Sequence, residues 1–398
     1  MSSLHGSRSR DAGEKLPKGL HLRGLFANIR PLTAPGDHEG QGEPIGARFE
    51  MSDVKVKVGI LGASGYTGAE LVRILAHHAA SEITLLTADR RAGRPFGEVF
   101  PHLAHLKLPT MIRIEDADWS MVDVIFCALP HGTTQEVIAG LPDHVKVVDL
   151  SADFRLFDAA TYKEWYGAEH AAQDLQKEVV YGLTELHREK IKKARVVANP
   201  GCYPTPVQLS LTPLLEQKLV HADDIIIDAK SGVTGAGRSP KEGILYAEVT
   251  EGIHAYGTGG HRHAPEIEQG LAWAAGQDVV VNFSPHLMPM SRGILESIYV
   301  KMTDGTSAED IQAALEKRYA DEPFVRVLPF GVTPQTRHVR GSNYVLIGVV
   351  KDRVPGRVII VAVEDNLVKG ASGQAVQNMN VMLGLPETMG LEIEPLFP

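Results

Sequence analysis

From Val54 to Leu150 short apolar, β-branched runs alternate with stretches of helical length. Val56-Lys57-Val58-Gly59-Ile60-Leu61 reads as a strand, and Ala69-Glu70-Leu71-Val72-Arg73-Ile74-Leu75 repeats its apolar positions at helical spacing. Further strands are predicted at residues 82–87, 122–128 and 145–150, each separated from the next by room for a helix, which argues for a parallel sheet of the nucleotide-binding type. The run 122–128 is apolar apart from Asp123, as a strand buried on both faces requires. After Pro200 the texture changes to longer alternating strands, at 224–229, 279–283, 295–302 and 344–350. These suit a mixed, mainly antiparallel sheet with helices on one side. The segment 370–383 is again helical in texture, rich in Gly, Gln and Asn, and is expected to return to the first domain.

The predicted fold class is therefore α/β: a Rossmann-type nucleotide-binding domain over 51–200, completed by 366–398, and an α+β catalytic and dimerisation domain over 201–365. Residues 1–50 carry Arg and Lys early, acids and glycines late, and little apolar periodicity, so disorder is predicted there. Met51 stands just before the first strand and marks an alternative start.

Composition narrows the chemistry. A formal charge of -9 over 398 residues gives no general attraction to nucleic acid or to an anionic membrane, so an anionic small molecule would need a local cluster of positive groups. No apolar run is long enough for a membrane span. Cys127 and Cys202 are the only cysteines, too few for a disulfide scaffold or a thiolate metal site, and a reducing, cytoplasmic setting is expected.

Gly62-Ala63-Ser64-Gly65-Tyr66-Thr67-Gly68 closes the first strand and opens the first helix. A pyrophosphate must approach backbone N–H groups at such a helix start, where a Cβ would hold it off, so these residues are the expected dinucleotide loop. At the end of the second strand the chain reads Asp89-Arg90-Arg91. Asp89 suits the ribose of NAD; the paired guanidinium groups of Arg90 and Arg91 suit the 2′-phosphate of NADP, the cofactor expected here. Gly373 and Asn378, in the helix that returns to this domain, complete the expected cofactor set.

Val196 to Pro206 runs a strand into a tight turn and then a helix, with Cys202 at the start of that helix. The positive end of a helix lowers a thiol pKa, so Cys202 is the expected nucleophile, whereas Cys127, inside an apolar strand, reads as a small buried hydrophobe. His261 and His263 flank Arg262. An imidazole titrating near neutrality can take a thiol proton and later assist the oxygen, and two histidines without a compelling third ligand make a poor metal site, so no metal is expected.

The run Asn199-Pro200-Gly201-Cys202-Tyr203-Pro204-Thr205 resembles the active-site word of N-acetyl-γ-glutamyl phosphate reductases. Matching segments in the same order include 62–68, 128–132, 149–155, 230–238, 261–267, 285–293 and 365–371, so the resemblance runs from about Val56 to the C-terminus and leaves out residues 1–50. It implies NADPH-dependent conversion of an acyl phosphate to an aldehyde through a Cys202 thioester, in arginine biosynthesis, by a homodimer or homotetramer. It also implies His261 as the partner of the cysteine, with His263 second and the reverse order open. For a substrate with a carboxylate and a phosphate, Ser231, Arg238, Arg262 and Arg292 are the expected anion-binding residues. Two rivals are set beside this reading. Aspartate-semialdehyde dehydrogenases and aminoadipyl-phosphate reductases share the two-domain plan and the cysteine, although Gly-Cys-Tyr-Pro-Thr fits the former poorly. A non-catalytic NADP-binding regulator would have no use for a cysteine at a helix start and a histidine word in a separate domain.

Overall fold

The computed structural model describes residues 55–398, so the disorder expected over 1–50 falls outside the described residues. Six strands form the first sheet: β1 (Val56–Leu61), β2 (Ser81–Leu86), β3 (Val124–Cys127), β4 (Lys146–Asp149), β5 (Val180–Tyr181) and β6 (Val196–Ala198). They are parallel, in the order β2-β1-β3-β4-β6-β5. The order reverses beside β1, which places the turn after β1 at the switch point where such sheets take ligands.

The second sheet contains β7 (Ile225–Gly232), β8 (His254–Ala255), β9 (Val281–Met288), β10 (Ile294–Lys301), β11 (Val325–Val327), β12 (Val345–Lys351) and β13 (Arg357–Glu364). Its order is β11-β12-β13-β10-β7-β9-β8; only β7 with β9 and β11 with β12 pair in parallel. This is the mixed, mainly antiparallel sheet the alternating pattern predicts. The sequence reading missed β13 and began β9 two residues early. β9 also runs through Pro285, which a central strand would not hold; on the side away from β7 only the two-residue β8 pairs with it, leaving β9 close to an edge strand.

One face of this sheet carries helices Pro204–Glu216, Ala264–Ala275 and Ala308–Tyr319, which join Ile227, Ile298, Ile347 and Ile360 in one core. Every residue from Pro204 to Leu215 is buried, as expected of a helix that is apolar nearly all round. On the other face Ile226, Leu295, Tyr299 and Ile359 are half-buried. No helix among the described residues is long and apolar enough to cross a membrane.

After β13 the chain makes a π-helical turn, Val368–Ser372, and enters the wholly buried helix Gly373–Met382. Val376, Met379 and Met382 of this helix share a core with Val58, Ile60, Val124 and Phe126 of the parallel sheet. Lys369 lies in the turn, fully buried, with its Nζ donating to Glu185 Oε1 at 2.6 Å and Gln377 Oε1 at 2.7 Å. Removing one member of such a pair leaves an uncompensated buried charge. Lys369→Met is therefore expected to cost about 3–5 kcal/mol, with much of that loss recovered in the Lys369→Met/Glu185→Gln double variant; urea unfolding monitored by circular dichroism measures both.

Candidate active site

The glycine-rich turn has three different reasons for its glycines. Gly62 has φ +80°, and a side chain there would strike Ala128 O; a Cβ on Gly68 would lie 2.6 Å from Ala63 Cα. Gly65 meets only Gly62 O, at 3.6 Å, so the space over the start of helix Tyr66–Leu75 is clear for an anion. The turn therefore fits a dinucleotide. Gly62 also borders a cavity of about 200 Å³ lined by Thr87, Asp89 and Arg113. Arg90 and Arg91 are exposed on the turn after β2 and do not line that cavity. Arg113, a basic group the sequence reading did not single out, does.

From this turn a groove of about 560 Å³ passes Tyr66, Thr67, His131 and Arg155 to Cys202. A second cavity of about 580 Å³ opens beyond it, lined by Ser231, Lys241, Tyr256 and His261. Cys202, His131, Arg262, His263 and Lys241 border both. The thiol thus stands at the junction of the nucleotide side and a pocket that Lys241 and Arg262 border.

The turn that carries the thiol is held from several sides. Asn199 N donates to Asp149 O at 2.8 Å, continuing the β4–β6 pairing, and Thr205 N and Oγ1 both donate to Gly201 O. Arg155, from the loop after β4, donates through Nε to Asn199 O at 2.8 Å and through Nη2 to Leu150 O at 2.9 Å. Its Nη1 lies 3.5 Å from Glu266 Oε2, while Glu266 Oε1 accepts from Gly201 N at 2.8 Å and from the Tyr181 hydroxyl at 2.7 Å. Sequence reasoning passed over Arg155 and Glu266 because their pairing spans the two sheets and leaves no trace in spacing.

The two histidines divide. His261 Nδ1 accepts from His263 N at 3.1 Å, so neutral His261 carries its proton on Nε2. A Cβ on Gly201 would sit 2.6 Å from His263 Nε2 and 2.9 Å from Arg155 Nη1, so His263 lies directly against the residue before Cys202. Burial lowers the pKa of both: His261 to about 4, with Arg262 adding, and His263 well below the usual imidazole value, with His261, Arg155 and Arg262 adding. Both are neutral at physiological pH.

Cys202 departs from expectation. It sits in the turn two residues ahead of the helix, half-buried, and burial first, then the Glu364 carboxyl, push its thiol up to about 12 against the opposing pull of Arg155 and the Tyr203 N–H. Desolvation outweighs the helix end, so no thiolate–imidazolium pair stands ready in the unliganded site. Cys127 is fully buried in β3.

The remaining expected residues sort by contact. Arg262 lies over the Tyr166 ring at 5.5 Å and faces both cavities; buried Ser231 reaches the substrate-side cavity. Arg238 crosses to the nucleotide side, where Nη1 donates to Ser64 O at 2.9 Å and the guanidinium covers Phe100. Arg292 is a correction: its two terminal nitrogens donate to Glu70 Oε1 and Oε2 at 3.1 and 2.7 Å, with Asp365 at 3.6 Å, and it borders neither cavity. A guanidinium so engaged has little left for a substrate. Gly373 and Asn378 are likewise corrected from cofactor contact to packing. Both are fully buried outside the groove; a Cβ on Gly373 would collide with Asn343 Oδ1, and Asn378 donates to Gly182 O and Asn199 Oδ1 while accepting from Thr184 Oγ1.

A raised thiol pKa has a direct readout. In the unliganded protein, iodoacetamide should modify Cys202 slowly at neutral pH, with a rate that is still climbing well above the roughly 8.5 of an ordinary thiol; peptide mapping across pH measures it.

Comparison with known proteins agrees with this construction. Residues 57–194 match the semialdehyde dehydrogenase NAD binding domain and residues 202–366 the semialdehyde dehydrogenase dimerisation domain. N-acetyl-gamma-glutamyl-phosphate reductase of Rhodospirillum rubrum is 62% identical over 349 residues, covering 86% of this chain and 99% of that protein. A probable chloroplastic N-acetyl-gamma-glutamyl-phosphate reductase of Arabidopsis thaliana is 61% identical over 86% of each chain. Among solved structures, aspartate semialdehyde dehydrogenase II from Vibrio cholerae superposes with a TM-score of 0.64 at 18% identity, over 83% of this chain and 99% of that one, a likeness of fold. The chain belongs to the N-acetyl-γ-glutamyl-phosphate reductase family of the semialdehyde dehydrogenases.

Proposed function

We propose that the reductive dephosphorylation of N-acetyl-γ-glutamyl phosphate, the family's reaction, runs on this chain through a Cys202 thioester. The observation that carries the assignment is the position of Cys202, bordering both the glycine-loop groove and the pocket of Lys241 and Arg262. Arg262 and Lys241, with Arg238 at the nucleotide end, supply positive charge for the substrate's phosphate and carboxylate.

Sγ attacks the acyl carbon as the thiol proton passes to His263 Nε2, phosphate leaves and takes a proton from solvent, and the acyl group remains on sulfur. The neutral form of His263 suits it to receive that proton, and it lies against Gly201, the residue before Cys202, and borders the same two cavities as the thiol. His261 keeps Nε2–H free as a donor toward the oxygen that becomes the aldehyde. Gly62, Gly65, Thr67, Thr87 and Arg113 would hold NADPH, which would supply the hydride. When the C–S bond then breaks, sulfur leaves as thiolate and recovers its proton from His263. This order reverses the ranking that sequence resemblance gave the two histidines.

The half-buried sheet face of Ile226, Leu295, Tyr299 and Ile359 is the surface offered to a second copy, in keeping with the dimerisation domain matched here. A reducing compartment suits the free thiols; the plant relatives carry chloroplastic names.

Rapid-quench measurement tests the division of roles. His263→Asn is expected to slow phosphate release about 10²- to 10⁴-fold with NADPH binding intact, whereas His261→Asn should leave release near normal and slow aldehyde formation instead. Equal effects of both substitutions on phosphate release would contradict the split.

A further inference from the structure

The reaction as drawn leaves the proton of the departing phosphate to solvent, and it leaves one imidazole of the site without a part. His131, in the turn after β3, borders both the glycine-loop groove and the substrate-side cavity, as Cys202, Arg262, His263 and Lys241 do. Its Nδ1 lies 2.5 Å from Oδ1 of Asp153, a wholly buried acid from the loop after β4. Nδ1 makes no in-line hydrogen bond there, so the pair is a contact of charge. The His131 ring also packs on Tyr166, the last residue of helix Ala159–Tyr166, at 4.2 Å between ring centres, and Arg262 lies over the same ring at 5.5 Å. Tyr166 thus gathers an imidazole and a guanidinium beside the substrate-side cavity.

Proton counting shows which acid carries the charge. Ser151 Oγ contacts Asp149 Oδ2 at 2.8 Å and Thr134 Oγ1 at 2.7 Å, and Thr134 Oγ1 contacts Asp153 Oδ2 at 2.5 Å. Each of these links needs a proton, and the two hydroxyls supply one fewer than the links require, so one of the two carboxyls is protonated. Asp149 is that one, since it lies wholly buried in β4, where burial pushes it up to about 7. Asp153 accepts from Gly132 N at 2.7 Å and Thr134 N at 3.0 Å as well as from the Thr134 hydroxyl, and it is the charged end of the chain that faces His131.

We propose that His131, paired with Asp153, is a further catalytic residue of the family reaction, the acid that protonates the departing phosphate and, in reverse, the base that activates it. This rests on the reading of a Cys202 thioester. Burial, with Arg262 and Arg155, holds the imidazole neutral in the empty site against Asp153, while Tyr162 and Tyr166, the other groups packed on the ring, are uncharged at neutral pH. A phosphate dianion drawn in by Arg262 and Lys241 adds negative charge beside the ring and tips it to imidazolium, so a proton enters with the substrate. As Sγ attacks and the C–O bond to phosphate breaks, Nε2 passes its proton to the departing oxygen, hydrogen phosphate leaves, and the imidazole is neutral again. In reverse, hydrogen phosphate attacks the thioester carbon, gives its proton to Nε2, and the C–S bond breaks.

Double-mixing kinetics on the full-length protein tests this. N-acetylglutamate semialdehyde and NADP, mixed without phosphate, build the acyl-enzyme; a second mix adds either inorganic phosphate or hydroxylamine, a neutral nucleophile that needs no phosphate site. At saturating phosphate, His131→Asn should discharge the acyl-enzyme about 10²-fold more slowly than the wild type, with NADP reduction in the first mix and hydroxylamine discharge within about twofold of it. His131→Gln should behave alike, and it carries the test if the Asn variant does not fold. Unchanged discharge by phosphate, slowing that extends equally to hydroxylamine or to NADP reduction, or a loss confined to phosphate affinity with the saturating rate unmoved overturns the proposal. If the wild type forms no acyl-enzyme at all, the thioester reading fails instead.

Discussion

Arg155 and Glu266 meet across the join between the two sheets, and the turn from Asn199 to Cys202 hangs on that meeting. The guanidinium takes Asn199 O, the carboxylate takes Gly201 N, and the two face each other at 3.5 Å. Each backbone group would be unsatisfied in a dry interior without its partner, so the turn has one arrangement in which all are paired. The same guanidinium aims Nη1 toward Gly201, where His263 Nε2 also arrives. Placement of Cys202, His263 and Arg155 is thus one packing solution, with Asn378 bracing it from behind through Asn199.

Partial desolvation is the second consequence. Cys202 is only half-buried, yet the hydration its thiol loses outweighs the favourable helix end and the guanidinium together. The unliganded site therefore holds a neutral thiol beside neutral imidazoles.

Much of this was legible in the sequence. Strands of the first sheet declare themselves by continuous apolar runs, and the glycines at 62, 65 and 68 by the shape of a strand-to-helix turn. Cys202 stands out from Cys127 because one follows a Pro-Gly turn and the other lies inside a strand. What could not be read is what tertiary pairing decides. Arg292 looks like any free arginine until Glu70 is seen to occupy it. Asn378 lies in a polar helix that suggests ligand contact, yet its amide is spent on Gly182 and Asn199. Helix-end reasoning gave the wrong sign for the thiol because desolvation depends on what covers it, and Glu364 comes from a strand the pattern did not disclose.

The central claim is that the acyl group passes through the sulfur of Cys202. Intact-mass spectrometry of the protein mixed with N-acetylglutamate semialdehyde and NADP in the absence of phosphate addresses it, since the acyl-enzyme then has no phosphate to discharge it. One N-acetylglutamyl adduct per chain, mapped to the Cys202 peptide and released on adding phosphate, is the predicted result. Reduction of NADP with no adduct on Cys202, or an adduct on another residue that phosphate discharges, would contradict the account.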